Sequence, residues 1–549
     1  MPDIVFISPE RGVEKKAAVK AEKGQKIIEA ARLGGIKIET PCNGLGICGK
    51  CGVREEGTGE CILACQGLIE KDAVYILRDY ESENDSLRIL SGGVSFEYLP
   101  EPFFSKRLVN GRTEVYGGEE LLGLEEHDTG ALLYGLAVDI GTTTIVANLV
   151  DIARGKSLVS VSALNPQSNY AQDVLGRIHF AGKENGLAVL HRAFIEKLNQ
   201  MIGDLTRQTN VKPAHIYELV YSGNTTMLHL ACNVDPSGLG KYPYTPALFG
   251  GCHRKEKGLA VSPFARVYLP PIISAYVGAD ISSGLLITRL AERKGGVLFI
   301  DIGTNGEMAF AKDGRIAASS TAAGPAFEGM NISCGMRASA GAIESFAIND
   351  DGSCVYAVIG GGKNSLKAAG ICGSGLLDIA GELVRTGVID SRGRFVLPDK
   401  GSYAALLKER MGQVEGKNAF FITDDVYLAQ KDIRQIQLAK GAIRCGIEML
   451  LSRFGTENQG MEGEIDQTII AGSFGYHLNE ESLLNIGLLP PRCRGKISFA
   501  GNTSLSGAEA FLLNTSFRRK MKEVTALVEK IELAQDAEFE RTFIKYMGF

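Results

Sequence analysis

The sequence predicts a multidomain α/β protein, and three observations carry that prediction. At 549 residues the chain exceeds what one hydrophobic core serves and points to two to four domains. Strand-like and helical apolar patterns alternate along most of its length. A strand-and-turn motif, Leu136-Ala137-Val138-Asp139-Ile140-Gly141-Thr142, returns as Leu298-Phe299-Ile300-Asp301-Ile302-Gly303-Thr304. A repeat at this separation indicates two related domains facing each other, not a short-period solenoid.

Composition narrows the class. Hydrophobic content of 45% and charged content of 22% fit a soluble globular protein. A net charge of -5 leaves no basic footprint, so nucleic acid is excluded as a partner. Met1 to Lys20 mixes acidic and basic residues with short apolar runs, unlike a secretory signal. No stretch approaches the ~18 uninterrupted apolar residues that span a bilayer. The expectation is a cytoplasmic protein without a membrane partner.

Taken in order, the first segment reads strand, strand, helix, Cys-rich loop, strand. Asp3 to Ser8 and Lys16 to Ala21 have strand patterns broken by Pro9-Glu10-Arg11-Gly12. Lys26 to Leu33 has helical spacing and stops at Gly34-Gly35. Ala73 to Leu77 resumes a strand, and this first domain is expected to span 1–95. Residues 96–130, rich in Gly, Glu and Pro, read as a linker with at most minor structure. The first half of the duplicated domain is then expected over 131–295 and the second over 296–549.

Five of the 12 cysteines fall between Cys42 and Cys65, and the other seven are scattered singly. In a reducing compartment a tight cluster reads as metal or redox chemistry, and scattered cysteines as small buried hydrophobes. The spacing Cys42-x5-Cys48-x2-Cys51, followed by Cys61 and Cys65, is the strongest signal in the chain. The loop Asn43-Gly44-Leu45-Gly46-Ile47 contains two glycines and can wrap backbone N–H groups around an anionic cluster. These thiolates resemble those of plant- and adrenodoxin-type ferredoxins, which hold a [2Fe–2S] cluster on a β-grasp fold. The first gap is one residue longer than in the plant spacing. Two residues compete for the fourth ligand. Leu63-Ala64-Cys65-Gln66 resembles the segment that carries the last ligand in those proteins, which favours Cys65 over Cys61. The excursion from Cys51 to Cys65 is short, at 13 intervening residues. Four cysteines also satisfy zinc, although structural zinc sites usually use two Cys-x2-Cys pairs and no second pair exists here.

The repeated motif suggests a nucleotide site. Gly135 to Val150 reads as a β-hairpin whose turn offers Gly141, Thr142 and Thr143 to phosphate oxygens, with Asp139 placed to hold hydrated Mg²⁺. The second copy offers Asp301, Gly303, Thr304 and Asn305 from the other side. A third strand and Gly-rich turn, Thr468-Ile469-Ile470-Ala471-Gly472-Ser473-Phe474-Gly475, resembles the adenosine-contacting segment of the actin/Hsp70/hexokinase superfamily. That resemblance implies ATP as ligand, a duplicated RNase-H-like ATPase fold, and contacts from Gly472, Ser473 and Gly475. Gly370 to Leu376 and Tyr221 to Thr226 are expected to line the same cleft. One Asp-x-Gly-Thr is weak, but two copies with the third turn in this order are strong. Among seven histidines, His229 and His477 read as structural.

The whole arrangement resembles the reductive activators of corrinoid proteins, which join a ferredoxin-like domain to an ATPase. The resemblance rests also on Asn165-Pro166-Gln167, Asp173-Val174 with Arg177-Ile178, Gly223-Asn224-Thr225-Thr226-Met227, Val277-Gly278-Ala279-Asp280, Gly335-Met336-Arg337-Ala338, and Asp432-Ile433-Arg434-Gln435 with Ala439-Lys440. It implies an ATP-dependent electron donor that returns cob(II)alamin in a corrinoid protein to cob(I)alamin. It implies in addition an upstream ferredoxin or reductase, and a homodimer through the large domain. Three alternatives stand beside it: an activator of another low-potential enzyme such as a dehydratase, a plain electron carrier with an ATPase-like scaffold, and a small-molecule kinase with a redox sensor.

Overall fold

The computed structural model describes residues 1–10, 13–36, 38, 51–77, 100–361, 366–396, 404–455, 464–472 and 478–549. The N-terminal part is a mixed five-stranded sheet covered by one helix. Strands β1 (Asp3–Glu10) and β2 (Val13–Lys20) form a hairpin, followed by helix α1 (Ile27–Leu33). Then come β3 (Gly52–Glu55), β4 (Cys61–Leu63) and β5 (Ala73–Leu77). The order is β2-β1-β5-β3-β4, with β1 and β5 parallel, which is the β-grasp arrangement expected from the sequence. Ile4, Phe6, Ile27, Ala30, Ala31 and Val53 fill its small core.

Residues 96–130, expected to link the domains, carry a three-stranded antiparallel sheet. It consists of β6 (Phe104–Val109), β7 (Arg112–Gly117) and β8 (Glu120–Glu125). Its first turn is Asn110-Gly111, with φ of 50° and 78°, and it joins Val109 directly to Arg112. A two-residue Asn-Gly turn of positive φ matches the twist of a hairpin. Phe104 and Val115 are fully buried against the next domain. The Lys106 ammonium is sunk there too, donating to Glu125 (3.0 Å), the Thr129 and Leu132 carbonyls and the Tyr217 hydroxyl (2.6 Å).

The large part consists of two halves built on one plan. The first contains β9 (Tyr134–Ile140), β10 (Thr144–Asp151), β11 (Lys156–Leu164), α2 (Val174–Ala181), α3 (Gly186–Thr209), β12 (Ile216–Gly223), α4 (Thr225–Ala231), β13 (Cys252–Arg254), β14 (Arg266–Leu269) and α5 (Ala279–Ile287). The second opens with β15 (Val297–Ile302), β16 (Gly306–Lys312) and β17 (Arg315–Thr321). An insertion follows, made of β18 (Ala342–Ile348), β19 (Cys354–Val358), β20 (Gly370–Ile371), α6 (Gly373–Arg385), α7 (Ala404–Glu409), β21 (Met411–Val414), β22 (Lys417–Phe421) and β23 (Tyr427–Ala429). The plan then resumes with α8 (Gln430–Ser452), β24 (Gln467–Ala471), α9 (Glu480–Asn485), β25 (Ile497–Gly501), α10 (Thr503–Leu513), α11 (Thr515–Leu527), β26 (Val528–Lys530) and α12 (Phe539–Met547).

Strand order makes the duplication explicit. The first sheet runs β11-β10-β9-β12-β14-β13 and the second β25-β24-β15-β16-β17-β26. In both, a three-stranded antiparallel meander adds a fourth strand parallel to its first and a fifth beyond that. The near-continuous apolar runs of β9, β12 and β15 are explained by burial on both faces. The halves meet where α5 crosses α10. A Cβ on Gly507 would lie 2.4 Å from the Ser283 Cβ, and one on Gly284 would lie 2.5 Å from the Phe299 ring. Gly507 is therefore what lets α10 touch α5, and Gly284 makes room on α5 for Phe299 of β15. Among the described residues, no helix is long and apolar enough to cross a membrane.

Candidate functional site

The two repeated turns face each other across one cleft, lined by Asp139, Gly141, Thr142 and Thr143 from the first half and Asp301, Gly303, Thr304 and Asn305 from the second. Each turn follows the first strand of its sheet, so the fold delivers both to the same place. The fourth strands end there as well, with matching geometry. Gly223 closes β12 at φ 150° and Gly472 follows β24 at φ 118°. A Cβ on Gly223 would lie 2.5 Å from the Ile140 carbonyl oxygen, and one on Gly472 2.5 Å from that of Ile302. Glycine is required at both positions because the end of the fourth strand presses on the end of the first. Gly472 thus lines the cleft as expected, while Ser473, Gly475 and His477 lie outside the described residues.

The first turn is held by its carbonyls. The Gly141 carbonyl accepts from Asn165 Nδ2 (2.8 Å), that of Thr142 from the Arg177 guanidinium (2.6 Å), and that of Thr143 from the Asn165 backbone N–H (2.9 Å). Three successive carbonyls of the loop are thereby occupied, and the Gly141 N–H donates to the Thr144 carbonyl (2.9 Å), which closes the turn. Arg177 is fully buried and also donates to the Ala171 carbonyl (3.0 Å); burial lowers its pKa to about 9. This gives physical roles to Asn165 and Arg177, which the sequence offered only as parts of recurring segments. Asn224, which caps α4, donates to the Thr142 hydroxyl at 3.1 Å.

Acidic groups gather at the floor of the cleft. Asp139 accepts from Asn502 Nδ2 (2.8 Å) and the Ser504 hydroxyl (2.7 Å), both at the start of α10 in the other half. Asp280 opens α5, and Glu307 sits opposite Asp301 across the β15–β16 hairpin. Burial raises all four carboxyls: Asp139 above its ordinary range, Asp280 to about 7, Asp301 to about 8 and Glu307 far above. Mutual repulsion adds to burial for Asp280, Asp301 and Glu307. Such a floor resists ionising together, and a cation would relieve that repulsion. Among the described residues, no three His, Cys, Asp or Glu side chains converge to cage an ion. Glu328 reaches the cleft from the turn after β17 and accepts from the hydroxyls of both Thr143 and Thr304. Arg337, Cys372 and Ser374 line the far wall.

Sequence reading missed Asn502, Ser504 and Glu328, quoted Asp280 and Arg337 without a role, and took in Glu307 only as the last residue of the second repeat, Asp301 to Glu307. The Asn502-Thr503-Ser504 cap before an apolar helix was the available signal for the first pair. His229 is structural as expected. It is buried, faces the Thr225 carbonyl with Nδ1 (2.7 Å), and accepts from the Ala247 and Leu248 N–H groups with Nε2.

In the N-terminal sheet, Cys51 and Cys65 are both buried with sulfurs 3.2 Å apart. That is too long for a disulfide bond of about 2.05 Å, and two thiolates on one metal at about 2.3 Å each can span it. Cys61 is exposed on β4. Cys42 and Cys48 lie outside the described residues.

Comparison with known proteins gives a consistent result. The family model described as the C-terminal domain of RACo, the ASKHA domain, matches residues 296–549, and that of the RACo middle region matches 134–293. The corrinoid activation enzyme RamQ of Eubacterium limosum is 34% identical over 425 residues, covering 75% of this chain and 70% of that protein. The [Co(II) methylated amine-specific corrinoid protein] reductase of Methanosarcina barkeri is 26% identical over 430 residues, covering 73% of each. A solved structure of a reductive activator for corrinoid, iron-sulfur protein superposes with a TM-score of 0.74 at 29% identity, over 100% of this chain and 98% of that one.

Proposed function

The chain belongs to the RACo family, and on that premise we propose that it is an ATP-dependent electron donor that returns a corrinoid protein from cob(II)alamin to cob(I)alamin. The observation that carries the reading is the pairing of two Gly-Thr turns around one acidic cleft, in a chain whose N-terminal sheet brings Cys51 and Cys65 together. The names of RamQ, the methylated amine-specific reductase and the superposed activator support a corrinoid protein as partner.

Cys42, Cys48, Cys51 and Cys65 would hold a [2Fe–2S] cluster. The chemistry such a centre supplies is a single electron near ~-400 mV in the plant type. An upstream ferredoxin or reductase would supply that electron. ATP binds between the halves, with Gly141, Thr142 and Thr143 on one side of its phosphates and Gly303, Thr304 and Asn305 on the other. Gly472, with Ser473 and Gly475, would contact the adenosine, as the resemblance of their segment implies. Asp139 and Asp301 would hold hydrated Mg²⁺, which would supply charge neutralisation for the phosphates. Asn502 and Ser504 orient Asp139, so the first carboxylate moves with a helix of the opposite half. Because α5 and α10 touch at Gly507, the halves can pivot about that crossing as nucleotide binds and is hydrolysed. The base-on cob(II)/cob(I) couple lies below the plant-type centre, so donation is uphill and needs this external drive.

The test is hydrolysis and binding by the full chain. Mg-ATP should bind, and hydrolysis should rise when a cob(II)alamin-loaded corrinoid protein is added. Asp301→Ala should suppress hydrolysis. Wild-type protein that binds no nucleotide even with its partner would leave only a scaffold.

A further inference from the structure

Glu328 stands apart from the other carboxylates of the cleft. They form its floor, whereas Glu328 reaches in from a turn of the second half and spans both phosphate loops. The Thr143 hydroxyl donates to one of its oxygens and the Thr304 hydroxyl to the other. Thr143 belongs to the first half; Thr304 and Glu328 belong to the second. A single carboxylate therefore takes two hydroxyls that the sequence assigns to phosphate, and it ties the halves together in doing so.

The backbone beneath it is fixed. Glu328 ends a short 3₁₀ turn, Pro325–Glu328, in which Ala326 and Phe327 are buried. The turn is clamped on both sides. A Cβ on Gly373 would lie 1.8 Å from the Phe327 carbonyl oxygen, and one on Gly329 2.3 Å from that of Met336. Gly329 also has φ 74°, a conformation that glycine adopts freely. The turn is thus tightly packed, whereas the Glu328 side chain is only half-buried.

We propose that Glu328 is a displaceable stand-in for phosphate: its carboxylate occupies the seat formed by Thr143 and Thr304, and nucleotide enters by expelling it. This rests on the nucleotide reading of the cleft and deepens it. A carboxylate and a phosphate compete for the same donors and repel each other at contact distance. Glu328 thus sets the affinity of the cleft for phosphate-bearing ligands specifically, and its release breaks an inter-half tie at the moment phosphate arrives. The residue is a specificity-determining one, acting on which ligand gains the two hydroxyls.

The experiment compares wild type, Glu328→Gln and Glu328→Ala by calorimetry with Mg-ATP and with adenosine. Gln keeps the size and loses the charge; Ala removes both. Both variants should bind Mg-ATP more tightly, by about tenfold or more, as expected for one like charge removed at contact distance in a cleft. Their affinity for adenosine should stay within about threefold of wild type, a change of under one kcal/mol. Unchanged or weaker Mg-ATP binding in both variants overturns the proposal while leaving the nucleotide site intact. An equal gain for adenosine also overturns it, since the gain would then come from loosened halves and not from a freed phosphate seat. Failure of all three proteins to bind Mg-ATP would instead remove the nucleotide reading on which the proposal stands.

Discussion

Replacing Ser504 with alanine tests how the first carboxylate of the cleft is held. The Ser504 hydroxyl donates to Asp139 at 2.7 Å and lies 2.9 Å from the Ser222 hydroxyl, from which it can accept. Ser222 keeps Ser283 and the Ala279 carbonyl as partners, and alanine is the best helix former, so α10 is not penalised. The loss therefore falls on Asp139. A hydrogen bond to a charged group is worth roughly 1.5–3 kcal/mol, which is about 1–2 pKa units. Burial already holds this carboxyl above its ordinary range, and losing a donor to its ionised form raises it further. A protonated Asp139 offers nothing to a cation, so Mg-ATP binding fails as pH falls through this pKa. The acid limb of binding should move upward by about 1–2 pH units, and affinity on the acid side of that limb should drop by about ten- to a hundredfold. Calorimetry of wild type, Ser504→Ala and Ser504→Thr between about pH 6 and about pH 9 reads the shift. Ser504→Ala should regain wild-type affinity in alkali, and Ser504→Thr should keep it throughout. An unmoved acid limb, or a loss equal at every pH, refutes the reasoning.

Three further outcomes follow from other parts of the chain. Cys65→Ser should lose iron on metal analysis while Cys61→Ser keeps it, because Cys65 is buried beside Cys51 and Cys61 is exposed; stoichiometric zinc in the wild type would mean a zinc knot. Gly507→Val should lower stability by about 1–3 kcal/mol or more in denaturant melts, as overpacking does, since even its first carbon would lie 2.4 Å from the Ser283 Cβ. Lys106→Met should cost about 1.5–3 kcal/mol, the worth of a hydrogen bond to a charged group, since Glu125 then keeps only the Thr129 and Tyr217 hydroxyls, and adding Glu125→Gln should recover much of that loss.

The sequence made the two hairpins of the cleft legible because each is local: an apolar strand, an Asp, a Gly-Thr turn and a returning strand lie within about a dozen residues. Their pairing across a cleft was legible because the motif occurs twice. The residues that tune the cleft were not, since they arrive from far along the chain. Asn502 and Ser504 lie 363 and 365 residues from the Asp139 they hold, and Glu328 is 185 residues from Thr143. Only the folded crossing of α5 and α10 brings such partners together. The sheet at Phe104–Glu125 was read as a linker although Asn110-Gly111 marks a hairpin. Its strands alternate weakly, and Leu108, Leu121 and Leu124 are exposed, so apolar residues do not mark one face. The choice of Cys65 over Cys61 came from a resemblance of sequence, and burial supplies an independent physical reason for it.

If the proposed function holds, ATP turnover in the cleft drives an electron onto a corrinoid acceptor. The direct measurement is the visible spectrum of a cob(II)alamin-loaded corrinoid protein mixed with the reduced full chain, with and without Mg-ATP. The account predicts the cob(I)alamin spectrum only when Mg-ATP is present, and cob(II)alamin unchanged with Asp301→Ala even though that variant stays reduced. A ligand moves an equilibrium only through its different affinity for the two states, so ATP must alter the complex to have this effect. Complete formation of cob(I)alamin without nucleotide would contradict the account and leave a simple electron carrier.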